Sequence, residues 1–413
     1  MIENHAGGWS FKVSSEVMFR RWLLLGSEGG SYYQGEAELT LDNVKSFQYF
    51  AVREPKRAVE IMREHLDRKW YLRPYPLMAA ASYMTMSDDA DVRSAAWEIL
   101  KDLAYTPFNF FRILSYLKSM RGTGRSVRKF INWFYTSKSF KDFVYQTLKY
   151  RQRDGWTHRD ALLLGHVKFE DSWQEYTRWL VENGKGNTSI VEVPPVTKYA
   201  EGVRKLYEAV QNPDFFSRGA RLEDVVKIVS NYGLTWDVIP SEFLKQPDIW
   251  KGLIVNDLLP AIAMLRQLPR ITAVFDNDIP DEIMGRIEAR LNNGYESGKF
   301  TFYQILRAYG IYRNGRSAQI SFNPDRRIKD LLLNLMRRFF TDSGNDDSFE
   351  GKNVLVVVDE SGSMSWSNMN GMYITPFNFA MLFASYLAHV VGNREMVLFD
   401  TDYRWITVPK TVD

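Results

Sequence analysis

Apolar residues recur at three- and four-residue spacing through most of this chain, from about residue 58 to residue 310. That spacing places them on one face of an α-helix. Short breaks such as Arg73–Pro76 and Ser87–Asp89 separate the helical segments, at a pitch of roughly twenty residues per helix. Because strand-like alternation is scarce before residue 350, we predict one helical-repeat domain over residues 1–343.

The pattern changes after a polar stretch at residues 344–351, which we interpret as a linker. Asn353–Val358 is a continuous run rich in valine, typical of a parallel strand that is buried on both faces. A helix and two further strands follow, predicted over Pro376–Val391, Met396–Phe399 and Tyr403–Val408. This order is the opening of a doubly wound α/β domain, predicted over residues 352–413. The predicted fold class is therefore mainly α, with a partial α/β domain.

The composition excludes several classes of protein. With 45% hydrophobic and 25% charged residues, the chain is ordinary for a globular protein. It has no cysteine, so neither a disulfide framework nor a thiolate zinc site can form. The first residues lack the pattern of a signal peptide, and the most apolar segment, Phe377–Val391, is too short to span a bilayer. We therefore expect a cytoplasmic protein without a membrane partner.

Positive charge is concentrated between Phe111 and Lys168. This stretch has thirteen lysines and arginines against three aspartates, whereas the formal net charge of the whole chain is only +3. Aromatic residues such as Trp133, Tyr145 and Trp156 are interleaved with the cations. Cations attract phosphates and aromatic rings stack on bases, so this composition favours RNA over duplex DNA or a membrane surface.

Two groups of cations in this stretch are candidate phosphate contacts. Arg125 and Lys129 share one helix face, and Arg121 precedes them. Lys149 and Arg153 share a second face. A solvated helix surface is the alternative, but such a surface normally mixes charges of both signs, and acidic residues are scarce here. We therefore predict phosphate binding.

A histidine near the end of the stretch leaves two alternatives open. His166 follows the apolar run Leu162–Leu164. It is either a core histidine with its polar atoms satisfied or a donor to RNA, and its spacing alone favours the core.

Asp359, Ser361 and Ser363 directly follow the predicted buried strand. Ligand sites of open α/β sheets lie at that end of a strand, and one carboxylate with two hydroxyls suits a hard divalent cation such as Mg²⁺ or Mn²⁺. The alternative is a capped turn that leads into a helix. We predict an ion site at this loop.

This Asp-x-Ser-x-Ser pattern closely resembles the metal-ion-dependent adhesion site of von Willebrand factor A domains. The resemblance implies two further ligands, a threonine and an aspartate, from later loops. Thr401 and Asp402 lie in the hairpin between the second and third strands, which is the wrong place for those ligands. The sheet would also leave Val354–Val358 with an unpaired edge. We interpret the domain and its ion site as incomplete, either because the chain is a fragment or because a second chain completes it.

Four segments resemble the Ro autoantigen, or TROVE, family. The most specific is Lys149–His166, with the pattern Lys-Tyr-x-Gln-Arg-x-Gly-Trp-x-His, and Gly124–Tyr135 precedes it. Ser27–Tyr33 and Leu258–Arg266 also look like that family. The resemblance implies a ring of HEAT-type helical repeats closed by a von Willebrand A domain.

The same resemblance implies a ribonucleoprotein. Members of the family bind small noncoding Y RNAs on the outer surface and admit single-stranded 3′ ends of misfolded RNAs through the hole of the ring. In bacterial relatives the Y RNA tethers a 3′-to-5′ exoribonuclease. The family's outer-surface contacts correspond to Lys149, Arg153 and His166, which favours RNA contact for His166, whereas Arg121, Arg125 and Lys129 are candidates from charge and spacing alone.

The sequence thus predicts a non-enzymatic RNA-binding protein that acts in noncoding RNA quality control or decay. An alternative is an adhesion module that binds a carboxylate of a partner protein through the ion. A nuclease is disfavoured, because no acidic cluster accompanies Asp359 and no histidine–lysine pair is placed for RNA cleavage.

Overall fold

The computed structural model describes residues 2–3, 9–10, 13–25, 44–69, 74–183, 192–211, 222–276, 278–317, 320–342, 352–366, 368 and 374–408. The chain divides into two compact units, Met1–Glu208 and Ala209–Asp413. The described residues are mainly helical, with one small α/β sheet near the end of the second unit. This confirms the predicted fold class.

The first unit begins with two short antiparallel strands, Ile2–Glu3 (β1) and Trp9–Ser10 (β2). The helices that follow are Ser15–Leu25 (α1), Val44–Arg53 (α2), Pro55–Asp67 (α3), Tyr75–Met84 (α4), Ala90–Leu103 (α5), Pro107–Arg121 (α6), Arg125–Thr136 (α7) and Phe140–Lys149 (α8). A hairpin and three more helices come next: Gln152–Arg153 (β3), Trp156–Thr157 (β4), His158–Gly165 (α9), Gln174–Asn183 (α10) and Lys198–Gln211 (α11). Neighbours in the chain pack together, as α4 does against α5 and α6, which is expected of helical repeats.

The second unit continues with helices and ends with a sheet. The helices are Leu222–Tyr232 (α12), Pro247–Val255 (α13), Ala261–Val274 (α14), Asp281–Glu296 (α15), Phe302–Arg313 (α16) and Arg326–Thr341 (α17). The sheet region consists of Val357–Asp359 (β5), Pro376–Val390 (α18), Glu395–Phe399 (β6) and Tyr403–Thr407 (β7). One-turn 3₁₀ helices lie at Asp171–Trp173, Trp236–Val238, Phe243–Lys245 and Gly362–Met364.

Polar caps determine where several helices begin. The Thr157 hydroxyl accepts from the Asp160 backbone N–H, and the Asp160 carboxylate accepts in return from the Thr157 N–H, which forms a capping box at the start of α9. Thr301 and Gln304 form the same box at the start of α16. Each such cap stabilises a helix by about 1 kcal/mol.

The basic stretch rests on an aromatic core. The rings of Phe110 and Phe134 are stacked with their centroids 3.8 Å apart, and Tyr135 meets Phe110 edge-on at 5.6 Å. All three side chains are buried, as is Phe143. The cations of this stretch therefore project from helices whose opposite faces are fixed by packing.

The sheet of the second unit has the order β5–β6–β7, with β5 parallel and β7 antiparallel to β6. One face packs on α18 in a core that includes Val356, Val358, Ala388, Met396 and Leu398. Helix α18 packs in turn on the preceding helices, where Tyr386 stacks on Phe302 with ring centroids 4.7 Å apart.

The prediction that the valine-rich strand is buried on both faces is wrong. Val356 and Val358 are 5% and 3% exposed, whereas Leu355 and Val357 are 60% and 46% exposed. The reason is that, in the part of the chain that the structure describes, helix α18 covers only the face of Val356 and Val358.

The predicted domain boundary falls where the structure gives no description. Residues 343–351, which include the predicted linker, lie outside the described residues, so the domain division stays a prediction. The segment Ser27–Tyr33, which resembles the family, also lies outside the described residues. No helix among the described residues has both the length and the apolar character needed to cross a membrane.

Candidate nucleic-acid interface

A two-residue turn presents one of the predicted cations. Asp154 and Gly155 join β3 to β4, with φ values of +52° and +76°. Positive φ at both central residues is the mark of a type I′ turn, for which Asp-Gly is a preferred pair. The hairpin pairs Arg153, which is exposed, with Trp156, which is buried. The turn therefore holds Arg153 at the surface, directly opposite the buried Trp156.

Two arginines beside this turn lie on aromatic rings. The Arg153 guanidinium is 4.3 Å from the ring centroid of Phe108, and that of Arg112 is 4.9 Å from the centroid of Tyr75. The Asp154 carboxylate lies 2.7 Å from Nε of Arg112 and 3.8 Å from Nε of Arg153. Contacts of this kind restrict the guanidinium before a ligand arrives, which lowers the entropy cost of binding a phosphate.

Lys149 lies among tyrosines at the end of α8. Its Nζ donates to the Tyr145 hydroxyl at 2.9 Å and is 5.3 and 5.6 Å from the ring centroids of Tyr145 and Tyr150. Two residues later, the exposed Arg151 lies 5.8 Å from the ring centroid of Tyr207. Cations and flat rings thus alternate along this segment, which suits phosphates and unstacked bases together.

The buried His158 forms two hydrogen bonds at the base of the hairpin. Its Nε2 is 2.9 Å from the carbonyl oxygen of Tyr150, and its Nδ1 is 2.8 Å from the hydroxyl of Tyr135. Because a carbonyl only accepts, Nε2 carries the proton and Nδ1 accepts from Tyr135. Complete burial lowers the pKa of His158 to about 3, so the ring is neutral near pH 7. His158 therefore joins α7 to the residue that follows Lys149.

A second group of cations lies at the start of α7. Arg125, Arg128 and Lys129 are exposed, and none of the described carboxylates lies within ion-pair distance of them. The N-cap is Gly124, which has no side chain to accept from the first N–H groups, and the first turn contains no acid. Positive side chains at the positive end of a helix dipole are unfavourable, and a bound phosphate would relieve that repulsion.

A close approach of α9 to α7 brings His166 near these cations. Asn132 Nδ2 donates to the carbonyl oxygens of Arg128 at 2.9 Å and Gly165 at 2.5 Å. A Cβ at Gly165 would lie 2.5 Å from Cγ2 of Ile131, so a larger residue would push the helices apart. His166 is the C-cap of α9, with φ +49°, and it is exposed. The core alternative that its spacing favours is therefore wrong.

His166 also borders a groove of about 540 Å³ between α9 and α10. The lining includes the apolar Leu162 and Val167 together with the exposed cations Lys168 and Arg178. This combination has the size and the charge to hold a nucleotide with its phosphate.

Arg121 has a different environment from the other predicted contacts. Its guanidinium donates to the Thr85 carbonyl at 2.9 Å and lies 5.5 Å from the ring centroid of Trp97. Partial burial lowers the pKa of Arg121, and the nearby charge of Arg93 lowers it further. The side chain therefore joins the end of α6 to the residue that follows α4.

The predicted contacts that correspond to the family's outer surface lie at the two ends of α9. Lys149 and Arg153 flank the start of α9, whereas His166 lies at its far end, about 12 Å away at 1.5 Å per residue. Sequence reasoning missed Arg178, because it lies on α10 beyond the basic stretch and only the packing of α10 beside α9 places it in the groove. Arg151 and Lys168, by contrast, both lie within the basic stretch, so the charge pattern could have identified them as candidate contacts.

The loop after β5 gathers the three predicted ion ligands. The Ser361 backbone N–H donates to Asp359 Oδ1 at 2.8 Å, and the hydroxyls of Ser361 and Ser363 are 3.2 Å apart. Mg²⁺ requires about six oxygens, of which these residues would supply half. Among the described residues, no cluster of three histidine or acidic side chains adds to them. The donors fit a hard cation in kind but not in number.

Comparisons with known proteins agree with this architecture. Residues 227–293 match the TROVE domain family. The chain is 25% identical to the RNA-binding protein RO60 of Caenorhabditis elegans over 88% of its length, and 24% identical to the RNA-binding protein RO60 of Deinococcus radiodurans over 90%. It spans only about two thirds of these relatives, 66% and 67% of their lengths respectively.

The fold is similar to that in the crystal structure of the RO (RSR) protein of Deinococcus radiodurans. The TM-score is 0.74 at 20% sequence identity, and the match covers 97% of this chain and 78% of that one. The structural match thus shows the shared fold, and the TROVE-domain match and the two RO60 relatives support a resemblance of this chain to the Ro family.

Proposed function

We propose that this chain is a non-enzymatic, Ro-type RNA-binding protein that works in noncoding RNA quality control or decay. The observation that carries the proposal is the alternation of cations and aromatic rings along Lys149–Arg153, held in place by the buried His158. The names of two relatives, both RNA-binding proteins, support it. Affinity would come from phosphate neutralisation, with stacking on exposed rings for unpaired bases.

The proposed ligands are Y-like small noncoding RNAs and the single-stranded 3′ ends of misfolded RNAs. The two groups of cations suit a structured RNA that is recognised by its shape, because its phosphates can reach both the hairpin and α7. The proposed setting is a cytoplasmic ribonucleoprotein in which the bound RNA brings a 3′-to-5′ exoribonuclease to its substrates. A divalent cation, Mg²⁺ or Mn²⁺, at Asp359, Ser361 and Ser363 is a separate proposal that the RNA contacts do not require.

The double variant Lys149→Ala, Arg153→Ala tests the residue assignment. We expect the affinity for a Y-like stem-loop RNA to fall at least about tenfold and the slope of log affinity against log salt to decrease by about two, one for each lost phosphate contact. A matched control, Lys227→Ala with Arg326→Ala, removes two exposed charges from the second unit and should leave both quantities unchanged.

Three outcomes would contradict these proposals at different levels. Equal affinity of the hairpin variant and the wild-type protein would refute the residue assignment alone. If the wild-type protein bound no structured RNA even at low ionic strength, the RNA-binding function itself would be refuted. Shortening of the RNA by the pure protein with Mg²⁺ would show that it is an enzyme.

A further inference from the structure

The groove between α9 and α10 has an apolar wall that faces solvent. Helix α9 contributes Leu162, Leu163 and His166 to the lining, and α10 contributes Thr177 and Arg178. The volume of about 540 Å³ is within the range of sites that hold small organic ligands. Leu163 is 46% exposed, so a ligand with a flat apolar surface would find contact area there.

The two walls of the groove are fixed at both ends. At one end, Nε of Arg159 on α9 donates to the carbonyl oxygen of Val181 on α10 at 2.7 Å. At the other end, the ring of Phe169 packs on the rings of Phe143 and Trp173, with centroid distances of 5.0 and 5.1 Å. The groove is therefore formed before a ligand arrives, and binding requires little ordering of the protein.

The charge of the groove is positive because cations and acids occupy different faces of α10. The lining positions of this helix follow the spacing of three and four residues and include Arg178. The acids of α10, Glu175 and Glu182, fall at other positions and do not line the groove. Lys168 from the loop after α9 adds a second exposed cation, and no carboxylate is among the described residues of the lining.

These features match an unpaired nucleotide better than a base pair. A base that has left its stack presents flat faces together with a phosphate, whereas a base inside a stem has both faces covered by its neighbours. Leu162, Leu163 and Val167 supply apolar surface for such a base, and Lys168 and Arg178 supply charge for its phosphate.

The position of the groove favours a nucleotide that belongs to a bound RNA. His166 borders the groove, and Lys149 and Arg153 flank the start of α9, about 12 Å away. An RNA stem held at the hairpin would bring its own nucleotides to the groove at a high effective concentration. A free mononucleotide or an acidic peptide would satisfy part of the same chemistry without that advantage.

We propose that this groove takes one unpaired nucleotide of the bound RNA, with its base against Leu163 and Val167 and its phosphate beside Lys168 and Arg178. The proposal rests on the RNA-binding function proposed above and deepens it. Its consequence is a selection among RNAs, because a stem that contains an unpaired nucleotide fills the groove and a fully paired stem does not.

A matched set of RNAs tests this selection. One stem-loop is fully paired, and the others carry a single unpaired adenosine that is moved along the stem one position at a time. We expect the wild-type protein to bind the RNA with the best position about tenfold more tightly than the paired stem. An abasic residue at that position should remove the gain, because it keeps the phosphate and loses the base.

A groove variant and a matched control locate the effect. Leu163→Asn with Arg178→Ala changes two exposed residues of the groove and should bind the paired stem and the best unpaired stem with nearly equal affinity. Leu24→Asn with Arg21→Ala makes the same kind of change on α1, where both residues are exposed, and should keep the tenfold preference. A preference that survives in the groove variant would place the unpaired nucleotide elsewhere and overturn the proposal.

A thiol reporter identifies the occupant directly. The chain has no cysteine, so Leu163→Cys gives a single reactive group in the groove and Leu24→Cys gives one on α1. The RNA with the preferred unpaired adenosine should slow maleimide labelling of the first about tenfold, because a covered thiol reacts only when the complex opens. The paired stem, adenosine monophosphate and polyglutamate should not slow it, and the thiol on α1 should react equally under all conditions.

The remaining outcomes separate this proposal from the function on which it rests. Equal affinity for every stem, together with the expected loss in the Lys149→Ala, Arg153→Ala variant, would overturn the groove proposal and leave RNA binding intact. Protection of the groove thiol by adenosine monophosphate or by polyglutamate, but not by RNA, would assign the groove to a free nucleotide or to an acidic protein and also overturn it. If the wild-type protein bound none of the RNAs, both proposals would fail.

Discussion

The hydroxyl of Tyr135 donates a hydrogen bond to Nδ1 of His158 at 2.8 Å, and both side chains are almost completely buried. Since Nε2 donates to the Tyr150 carbonyl, the neutral ring satisfies both of its nitrogens. A protonated ring could not accept from Tyr135. The base of the hairpin therefore depends on an uncharged histidine.

Acid should weaken this connection. The pKa of His158 is about 3 in the folded protein against an ordinary value of 6.5, so the unfolded chain binds more protons between those values and stability falls as the pH falls through that window. We expect His158→Gln to lower the thermal midpoint at neutral pH and the difference from wild type to shrink toward pH 4, measured by circular dichroism. The exposed His166→Gln is the control and should match wild type throughout. A difference that stays constant with pH would disprove the coupling.

The contact between α7 and α9 should tolerate no larger residue at Gly165. An added Cβ would lie 2.5 Å from Ile131 Cγ2, so we expect Gly165→Ala to cost about 1–3 kcal/mol of unfolding free energy. Ile131→Ala in the same chain removes the clashing methyl and should recover part of that cost. Urea unfolding of the wild type, both single variants and the double variant measures the coupling. Strictly additive effects would mean that the two positions do not compete for space.

Arg121 and Arg125 should separate stability from RNA binding. Arg121 donates to the Thr85 carbonyl, so Arg121→Ala should lower stability by about 1–2 kcal/mol while leaving the salt slope of RNA binding almost unchanged. Arg125 is exposed at the start of α7, so Arg125→Ala should reduce the salt slope by about one with little effect on unfolding. The opposite assignment of effects would place the phosphate contact at Arg121.

Asp154 should stabilise the fold through its charge as well as through its backbone conformation. Asp154→Asn keeps a residue that tolerates positive φ but removes the anion 2.7 Å from Arg112, and we expect a loss of about 1–2 kcal/mol in unfolding free energy. Asp154→Val should cost more, because a β-branched residue is strained at φ +52°. Thermal unfolding of the two variants compares the stability that depends on the Asp154 charge with the stability that depends on the positive φ at this position. If asparagine were neutral, the ion pair with Arg112 would have no measurable role.

The sequence allowed the helical fold and the basic stretch to be predicted, because apolar spacing and charge are local properties. It did not reveal which face of the valine-rich strand is covered: Val356 and Val357 are the same residue type, and only the position of α18 distinguishes them. Likewise, Arg121 and Arg125 look equivalent in a charge pattern, yet one donates to a backbone carbonyl in a neighbouring repeat. Such differences depend on packing between segments that are distant in the chain.

The role of His158 illustrates the same limit. Its partner Tyr135 lies 23 residues earlier on another helix, so no local pattern reveals that the ring is buried and bridged. For His166, the apolar residues before it favour burial, but of Leu162–Leu164 only Leu162 is buried, and His166 itself is an exposed left-handed cap.

The type I′ geometry at Asp154 and Gly155 makes the length of that loop more important than the identity of the cation it carries. A lysine in place of Arg153 would keep its charge on the same side of the ribbon. One inserted residue, however, would destroy the two-residue turn and shift the register that now places Arg153 opposite Trp156, so the Arg153 guanidinium would leave the ring of Phe108. Insertions should therefore be rarer at this loop than cation swaps among natural variants of the chain.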